Sequence, residues 1–435
     1  MASPASVQPS SGPGEGDQGV WLRRIRGVLA FLAKLGPYAL AFTTYSLFLD
    51  HVSDKWITAD WLRYALAGVT ALCFGMASQL LLQLEIVKRA LGGSSNAAAT
   101  MLPVPRRSTE NDRGTFFEIL DGTQHQLLDR YRRERRGEMD LCGWSQFYGE
   151  KAGLSAIGSS YGLRIAMALD VRDPKIERHQ VIQSILAMQR RGGGWSASNQ
   201  RDIGRPEVTA WVLGALIPAG LSTEDRERLV GKLEALLDEK DDPVGMDNTC
   251  VVATAVSALA LFAPHSPRLP DLANRLANGT AGGAGEIPRW SATLRAEAGR
   301  ESVPHTARAV VALHRAAAAI PDRPKFKQLA KAAVGWLCDG AKLDVQSEEI
   351  RRAHDDGMDV LVVKHFTPAW VARALMLDGR DPLRSEPLKE AVGAVVEYQR
   401  KGVWTWVDHR EPIWMAYQGV SVLRDFGIRA RASIY

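Results

Sequence analysis

Gln399-Arg400-Lys401-Gly402-Val403-Trp404 is followed, after a short polar stretch, by Glu411-Pro412-Ile413-Trp414-Met415-Ala416. This pairing of a Gly-Trp loop with a helix that opens on proline decides the fold, because it recurs. Gln189-Arg190-Arg191-Gly192-Gly193-Gly194-Trp195 leads to Arg205-Pro206-Glu207-Val208-Thr209-Ala210-Trp211, then Leu213 and Leu216. Trp290 leads to Val303-Pro304-His305-Thr306-Ala307-Arg308, then Val311 and Leu313. A further version reads His365-Phe366-Thr367-Pro368-Ala369-Trp370, then Ala374-Leu375, and two looser copies begin near Gly153 and Asp247. Proline suits the first turn of a helix, where its missing N–H has no intrahelical acceptor, and Ser or Thr favours the cap. Six such openings, at intervals of roughly 45–60 residues, leave room for a second helix between each pair. One helical hairpin cannot bury its own apolar face, but stacked hairpins can. Apolar spacing is helical almost throughout and no run of alternating polar and apolar residues reads as a strand, so the expected class is all-α.

The stretch Gln399 to Trp404 resembles the QW motif, Gln-x2-5-Gly-x-Trp, of squalene–hopene cyclases and related terpene cyclases, and Gln189 to Trp195 resembles it again. Over roughly residues 140–430 the chain is similar to the prenyltransferase/squalene–hopene cyclase superfamily. That resemblance implies an (α/α)6 toroid over residues 113–435, with six inner helices, six outer helices and a pocket at the inner N-terminal mouth. It also implies that Gln189, Trp195, Gln399 and Trp404 are structural, tying the end of an outer helix to the next loop. Glutamine offers both a donor and an acceptor for this, and tryptophan a large apolar face.

Three catalytic signatures of the superfamily can be sought. Class II cyclases use a DxDD-type acid to protonate an alkene. The nearest stretch, His354-Asp355-Asp356-Gly357-Met358-Asp359, has the wrong spacing and reads as a solvated Asp-Gly turn, with a magnesium–diphosphate role as its functional alternative. Protein prenyltransferases hold zinc with Asp-x-Cys and a later His. Here Asp247 and Cys250 are three apart rather than two, with His305 beyond them, so Asp247, Cys250 and His305 are the candidate metal set. The competing reading makes Cys250 a small core residue. Carbocation chemistry also wants aromatic walls. The expected inner helices, such as Val251-Val252-Ala253-Thr254-Ala255 and Ala309-Val310-Val311-Ala312, are small and aliphatic, most tryptophans fall in loops, and a narrow cavity follows.

Arg205, Glu207, Asp247, Asn248, His305, Arg308, His365 and Glu411 all fall at or near inner-helix starts. Helix N-termini attract anions, and Arg and His add charge, so these residues are candidate ligands for a phosphate or diphosphate head at the mouth of the toroid. Capping and surface salt bridges are the competing account. The Gly-rich stretch from Gly279 to Gly285 fits no phosphate-loop pattern and reads as a plain loop.

Toward the N-terminus the pattern changes. Residues 1–20 are rich in Ser, Pro and Gly and read as a disordered tail. Residues 21–92 read as a transmembrane hairpin: Val28 to Leu49 holds one charge, Lys34, and Tyr64 to Leu84 holds none. At about 1.5 Å per residue each run can cross a hydrocarbon core of roughly 30 Å. Arg23, Arg24 and Arg26 before the first run, and Lys88, Arg89, Arg106 and Arg107 after the second, put both flanks in the cytoplasm. Ala67, Ala71 and Gly75, continued by Gln79 and Gln83, form a seam for close helix contact. Lys34 either bonds those glutamines or snorkels to the interface. Residues 93–112 read as a linker.

Composition adds bounds. A net charge of +5 is mild, and no named nucleic-acid motif is present, so no nucleic-acid partner is expected. Four well-separated cysteines fit a reducing compartment. The expected protein is anchored in a bacterial inner membrane with both termini cytoplasmic. Its partners are the lipid bilayer, a small anionic or isoprenoid ligand, and a protein or second copy contacted through the hairpin. A sensor or effector that binds without the family's catalysis is the leading reading. An isoprenoid-processing enzyme, prenyltransferase or terpene cyclase, with a divergent active site is the alternative, and a structural membrane scaffold is the third. No cofactor is assigned.

Overall fold

The chain divides into two units, Met1–Ala98 and Ala99–Tyr435. The computed structural model describes residues 115–149, 153–197, 202–238, 240–281, 286–295, 300–354 and 357–433, all in the second unit. The expected tail, membrane hairpin and linker lie outside the described residues. Among the described residues, no helix is long and apolar enough to cross a membrane.

The fold is mostly helical. Its helices are α1 (Phe116–Asp129), α2 (Ala156–Ala168), α3 (Arg178–Ala187), α4 (Pro206–Leu216), α5 (Thr223–Leu236), α6 (Pro243–Asp247), α7 (Thr249–Phe262), α8 (Arg268–Asn278), α9 (Val303–Ala319), α10 (Pro324–Cys338), α11 (Thr367–Leu377), α12 (Glu386–Glu397) and α13 (Ile413–Ala432). Local chemistry starts them as the sequence suggests. Proline stands in the first turn of α4, α9 and α11. Asn248 caps α7, its Oδ1 accepting from the Val251 N–H at 3.1 Å. At α1 the Thr115 hydroxyl and the Glu118 carboxylate cap reciprocally.

Six helices form a closed cycle of contacts: α2 packs on α4, α4 on α7, α7 on α9, α9 on α11, α11 on α13, and α13 returns to α2. Six more pack on these: α1 on α2 and α13, α3 on α2, α5 on α4, α8 on α7 and α9, α10 on α9 and α11, and α12 on α11 and α13. Burial follows this division. In α7, Cys250, Val251, Val252, Ala253, Ala255, Val256, Ala258 and Leu259 are all buried, so most of the helix surface is covered, whereas α5 buries only Leu229 and Leu233.

One bond recurs around the cycle. The indole N–H donates to a carbonyl in the last turns of the preceding helix: Trp144 to Leu127, Trp195 to Ile185, Trp290 to Leu276 and Trp404 to Val395, at 2.8, 2.9, 2.8 and 3.0 Å. The backbone N–H of the first three donates to a hydroxyl in the first turn of the next ring helix, on Ser159, Thr209 and Thr306. Each buried indole thus ties one helix end to the start of the next. Where ring helices pass beneath an indole they carry glycine: a methyl group at Gly162 would overlap Trp144, and one at Gly419 would overlap Trp404. Gln399 is buried and accepts from the Gly402 N–H at 3.0 Å. Gln189 is half-buried and shows no such bond among the described residues, because Arg190 takes over there, donating to the Ser196 hydroxyl at 2.8 Å.

The helices are nonetheless interrupted by short strands that no alternating run announces: among the described residues, three antiparallel hairpins form, β1 (Arg132–Arg136) with β2 (Met139–Gly143), β3 (Gln346–His354) with β4 (Gly357–His365), and the two-residue β5 (Gln399–Arg400) with β6 (Val403–Trp404). The long β3–β4 pair runs in register from Gln346 opposite His365 to His354 opposite Gly357.

Candidate functional site

The β3–β4 hairpin alternates strictly. On β3, Ser347, Glu349, Arg351 and Ala353 are exposed while Glu348, Ile350 and Arg352 turn inward. On β4, Asp359, Leu361, Val363 and His365 are buried. Four of these seven inward positions are charged or titratable, and they meet the starts of four ring helices. Arg205, the residue capping α4, pairs with Asp359. Glu207 in the first turn of α4 pairs with Arg352 at 3.1 Å. Asn248 at the start of α7 donates to Glu348 at 3.5 Å, and Ser302 at the start of α9 donates to Gln346 at 3.3 Å. His365 closes β4 two residues before α11.

Arg205, Glu207, His305, Arg308 and His365, expected at helix starts, are therefore gathered at one hairpin. Two other candidates stand apart. Asp247 pairs with Arg275 at 2.8 Å and with Arg295. Glu411 is half-buried, gives its backbone carbonyl to the Tyr148 N–H at 2.8 Å, and forms no ion pair among the described residues. Sequence reading missed Asp242, Glu348, Arg352 and Asp359. Arg352 donates through Nε and Nη2 to both oxygens of Asp242 at 2.8 Å, and through Nη1 and Nη2 to both oxygens of Glu207 at 3.1 Å. Burial works against its charge, but Glu207 and Asp242 outweigh burial and raise its pKa.

Beside this network lies a chain of polar contacts. The Arg308 Nε–H donates to His365 Nδ1 at 3.1 Å, and His365 Nε2 reaches Glu348 Oε1 at 3.2 Å. His305 Nε2 stands 3.1 Å from Glu348 Oε2, too far out of line for a hydrogen bond, and its Nδ1 meets the Ser302 hydroxyl at 2.8 Å. Since Arg308 has no acceptor to offer, His365 Nδ1 must be the acceptor, and the neutral ring carries its proton on Nε2, donated to Glu348. Burial lowers the His365 pKa to about 4, with Arg308 adding to the effect, so the ring is neutral near pH 7. Burial would raise Glu348, but the two histidines outweigh it and hold the carboxyl well below its usual range.

His305, Glu348 and His365 place their ligand atoms within 4.8 Å of one another, a spacing that a divalent ion could use. The protonation opposes it. A metal-bound histidine normally donates its second N–H outward, whereas here Arg308 donates inward and leaves an N–H, not a lone pair, facing Glu348. The candidate zinc set is also corrected. Among the described residues Asp247, Cys250 and His305 do not converge: Asp247 is engaged by arginines, and Cys250 is fully buried within α7. The stretch His354 to Asp359 runs from the last residue of β3 into the first residues of β4. Asp355 and Asp356 lie outside the described residues, and Asp359 is a buried partner of Arg205, not a solvated turn residue. The ring helices surround a small cavity of about 300 Å3 that is partly open to solvent, and unlike the aliphatic segments quoted above its walls carry Tyr161, Trp211, Trp370 and Tyr417. Aromatics contributed singly by separate helices form no local sequence cluster.

The depressed values set the acid behaviour of the fold. The unfolded chain takes up the His365 proton near its ordinary 6.5, while the folded chain resists it to about 4. Stability is therefore complete above 6.5 and falls as the pH drops through that window, on the order of 3 kcal/mol in all. Glu348 adds a loss of the same sign below 4.5. Urea titrations at stepped pH should show this decline, and His365→Gln should flatten it between 6.5 and 4. A slope that the variant leaves unchanged would remove His365 as its origin.

Compared with known proteins, the sequence matches no family model, no curated protein and no solved structure.

Proposed function

We propose that the chain is a membrane-anchored (α/α)6 toroid, similar in its repeats to terpene cyclases, that works as a ligand- or partner-binding sensor or effector. Residues 21–92 form the anchor, two spans in the inner membrane with both termini cytoplasmic. The QW-like loops build the toroid, and the family's catalysis is absent.

One observation carries this reading. The resemblance puts a substrate pocket at the inner N-terminal mouth, and there the β3–β4 hairpin lies across the helix starts with its own acids on the basic groups. Asp359 takes Arg205, while Glu348 takes His305 and His365. An incoming diphosphate would have to displace these partners and strip two buried carboxylates of their compensation. A site occupied in this way suits a scaffold held in one state better than a turnover site open to isoprenoids.

The test uses the full chain in native membranes, supplied with a linear polyene and with isoprenyl diphosphates in the presence of magnesium and zinc. Substrates should be recovered unchanged, and protease added outside intact cells should spare residues 113–435. A cyclised or prenylated product would overturn the binding reading, and external digestion of the domain would overturn the orientation.

A further inference from the structure

The cavity inside the ring is charged. Arg164 of α2, Arg308 and Arg315 of α9, and Arg373 of α11 all line it, and none of its lining residues is Asp or Glu. None of the four forms an ion pair with a described residue. Arg164 donates to the Trp211 carbonyl at 2.8 Å and Arg308 to His365, while Arg315 and Arg373 make no hydrogen bond among the described residues. Asp425 is the acid whose charge reaches Arg315 and Arg373, but it is engaged by Arg424 at 2.9 Å. Arg308 is buried and the other three are half-buried, and charges of one sign gathered in one space without an acid among them are costly.

Aromatic rings set the direction of these side chains. Arg308 lies over Trp370 at 4.1 Å and Arg373 over the same ring at 5.3 Å, while Arg164 and Arg373 lie over Tyr417 at 5.1 and 5.4 Å. Donors are left over. Arg164 Nε, Arg373 Nη2 and Trp370 Nε1 are buried without a hydrogen-bond partner, as is the amide oxygen of the buried Gln418. The field is legible in neighbouring groups. Burial pushes Arg315 down to about 10, with Arg373 adding to the effect. Burial should raise the Tyr417 phenol, but Arg164, Arg373 and Arg315 outweigh it and lower its pKa.

These features choose among ligands. A carbocation or a neutral polyene would leave the positive potential unrelieved. A single carboxylate would relieve only part of it. The volume stands at the low end of the roughly 300–1,000 Å3 typical of small-molecule sites, which leaves little room for a long apolar chain. Planar guanidinium forks match phosphoryl oxygens two at a time. We propose that this cavity binds a compact oligophosphate, inorganic or carried on a nucleoside, through Arg164, Arg308, Arg315 and Arg373. The site lies within the ring and meets the helix starts held by the β3–β4 hairpin through Arg308, which also donates to His365. The inference deepens the binding function proposed above and rests on it for its biological role, though not for its geometry.

The full chain, reconstituted in neutral-lipid nanodiscs, is titrated with phosphate, diphosphate, triphosphate, ATP, citrate and an isoprenyl diphosphate, read by thermal shift and calorimetry. Affinity should rise from phosphate to triphosphate and fall at least tenfold in Arg373→Gln and in Arg315→Gln. Without ligand, both variants should melt at or above the wild type, because each removes a half-buried cation that has no acid paired with it among the described residues. A preference for ATP over triphosphate would make the ligand nucleoside-borne, and equal binding would make it inorganic; both support the oligophosphate class. Citrate binding as tightly as triphosphate would overturn that class. Binding that ignores both variants, no binding of any polyanion, or unliganded variants that both melt far below the wild type would overturn the site. An isoprenyl diphosphate bound more tightly than inorganic diphosphate would overturn the compact ligand while leaving the binding function intact. Its conversion to product would overturn the binding function itself.

Discussion

Trp404→Ala should destabilise the helical domain by about 3–5 kcal/mol, the cost of truncating a fully buried indole. Trp404 is 1% exposed, fills the space over Gly419 and holds the end of α12 through its bond to Val395. Alanine leaves a cavity, an unmet carbonyl and a glycine with nothing above it. Because α12 packs on both α11 and α13, the loss loosens the closing segment of the helix cycle. Chemical denaturation of wild type and variant measures the difference. A variant as stable as the wild type would reduce the repeated tryptophan bonds to coincidence.

Arg352→Ala should cost a comparable amount, about 3–5 kcal/mol, for a different reason. Its guanidinium is the common partner of Glu207, which is 0% exposed, and of Asp242, which is 6% exposed. Removing the cation strands both acids, and removing a charge as well should recover part of the loss. Arg352→Met combined with Glu207→Gln should therefore be more stable than Arg352→Ala, a non-additivity expected of groups in one network. Hydrogen exchange gives the local readout, with the β3–β4 amides opening faster in Arg352→Ala. Exchange at the wild-type rate would mean that this network does not hold the hairpin down.

The helical repeats were legible because they are written locally. Pro206, Pro304 and Pro368 mark helix starts, and the loops at Trp195, Trp290 and Trp404 carry the same ties. Trp144 escaped notice because a β-hairpin, not a Gln-Gly run, precedes it. The β3–β4 pair was hidden by its own function. Strand alternation is recognised by apolar residues on the inward face, and here Glu348, Arg352, Asp359 and His365 occupy that face. Arg205, Glu207, His305, Arg308 and His365 do gather at one hairpin while Asp247 and Glu411 do not, and the partners of the gathered residues were missed because they lie far along the chain. Of the cavity arginines only Arg308 was legible, and only as a helix-start residue. Arg164, Arg315 and Arg373 are dispersed over three helices, each reading alone as a solvated helix charge until the helices come together.

The contact that returns α13 to α2 has a consequence for biosynthesis. In an open array each new pair of helices finds its neighbour already made, so folding can follow the growing chain. Here α2 is the first member of the cycle to leave the ribosome and α13 the last, so one flank of α2 waits for its partner through the synthesis of the whole domain. Joining segments so distant in sequence carries a loop-entropy cost that local pairing avoids, and it slows the final step. Truncation within α13 would therefore leave two apolar flanks uncovered, one on α2 and one on α11, at opposite ends of an otherwise assembled row. Such a product is better suited to joining a second chain than to standing alone.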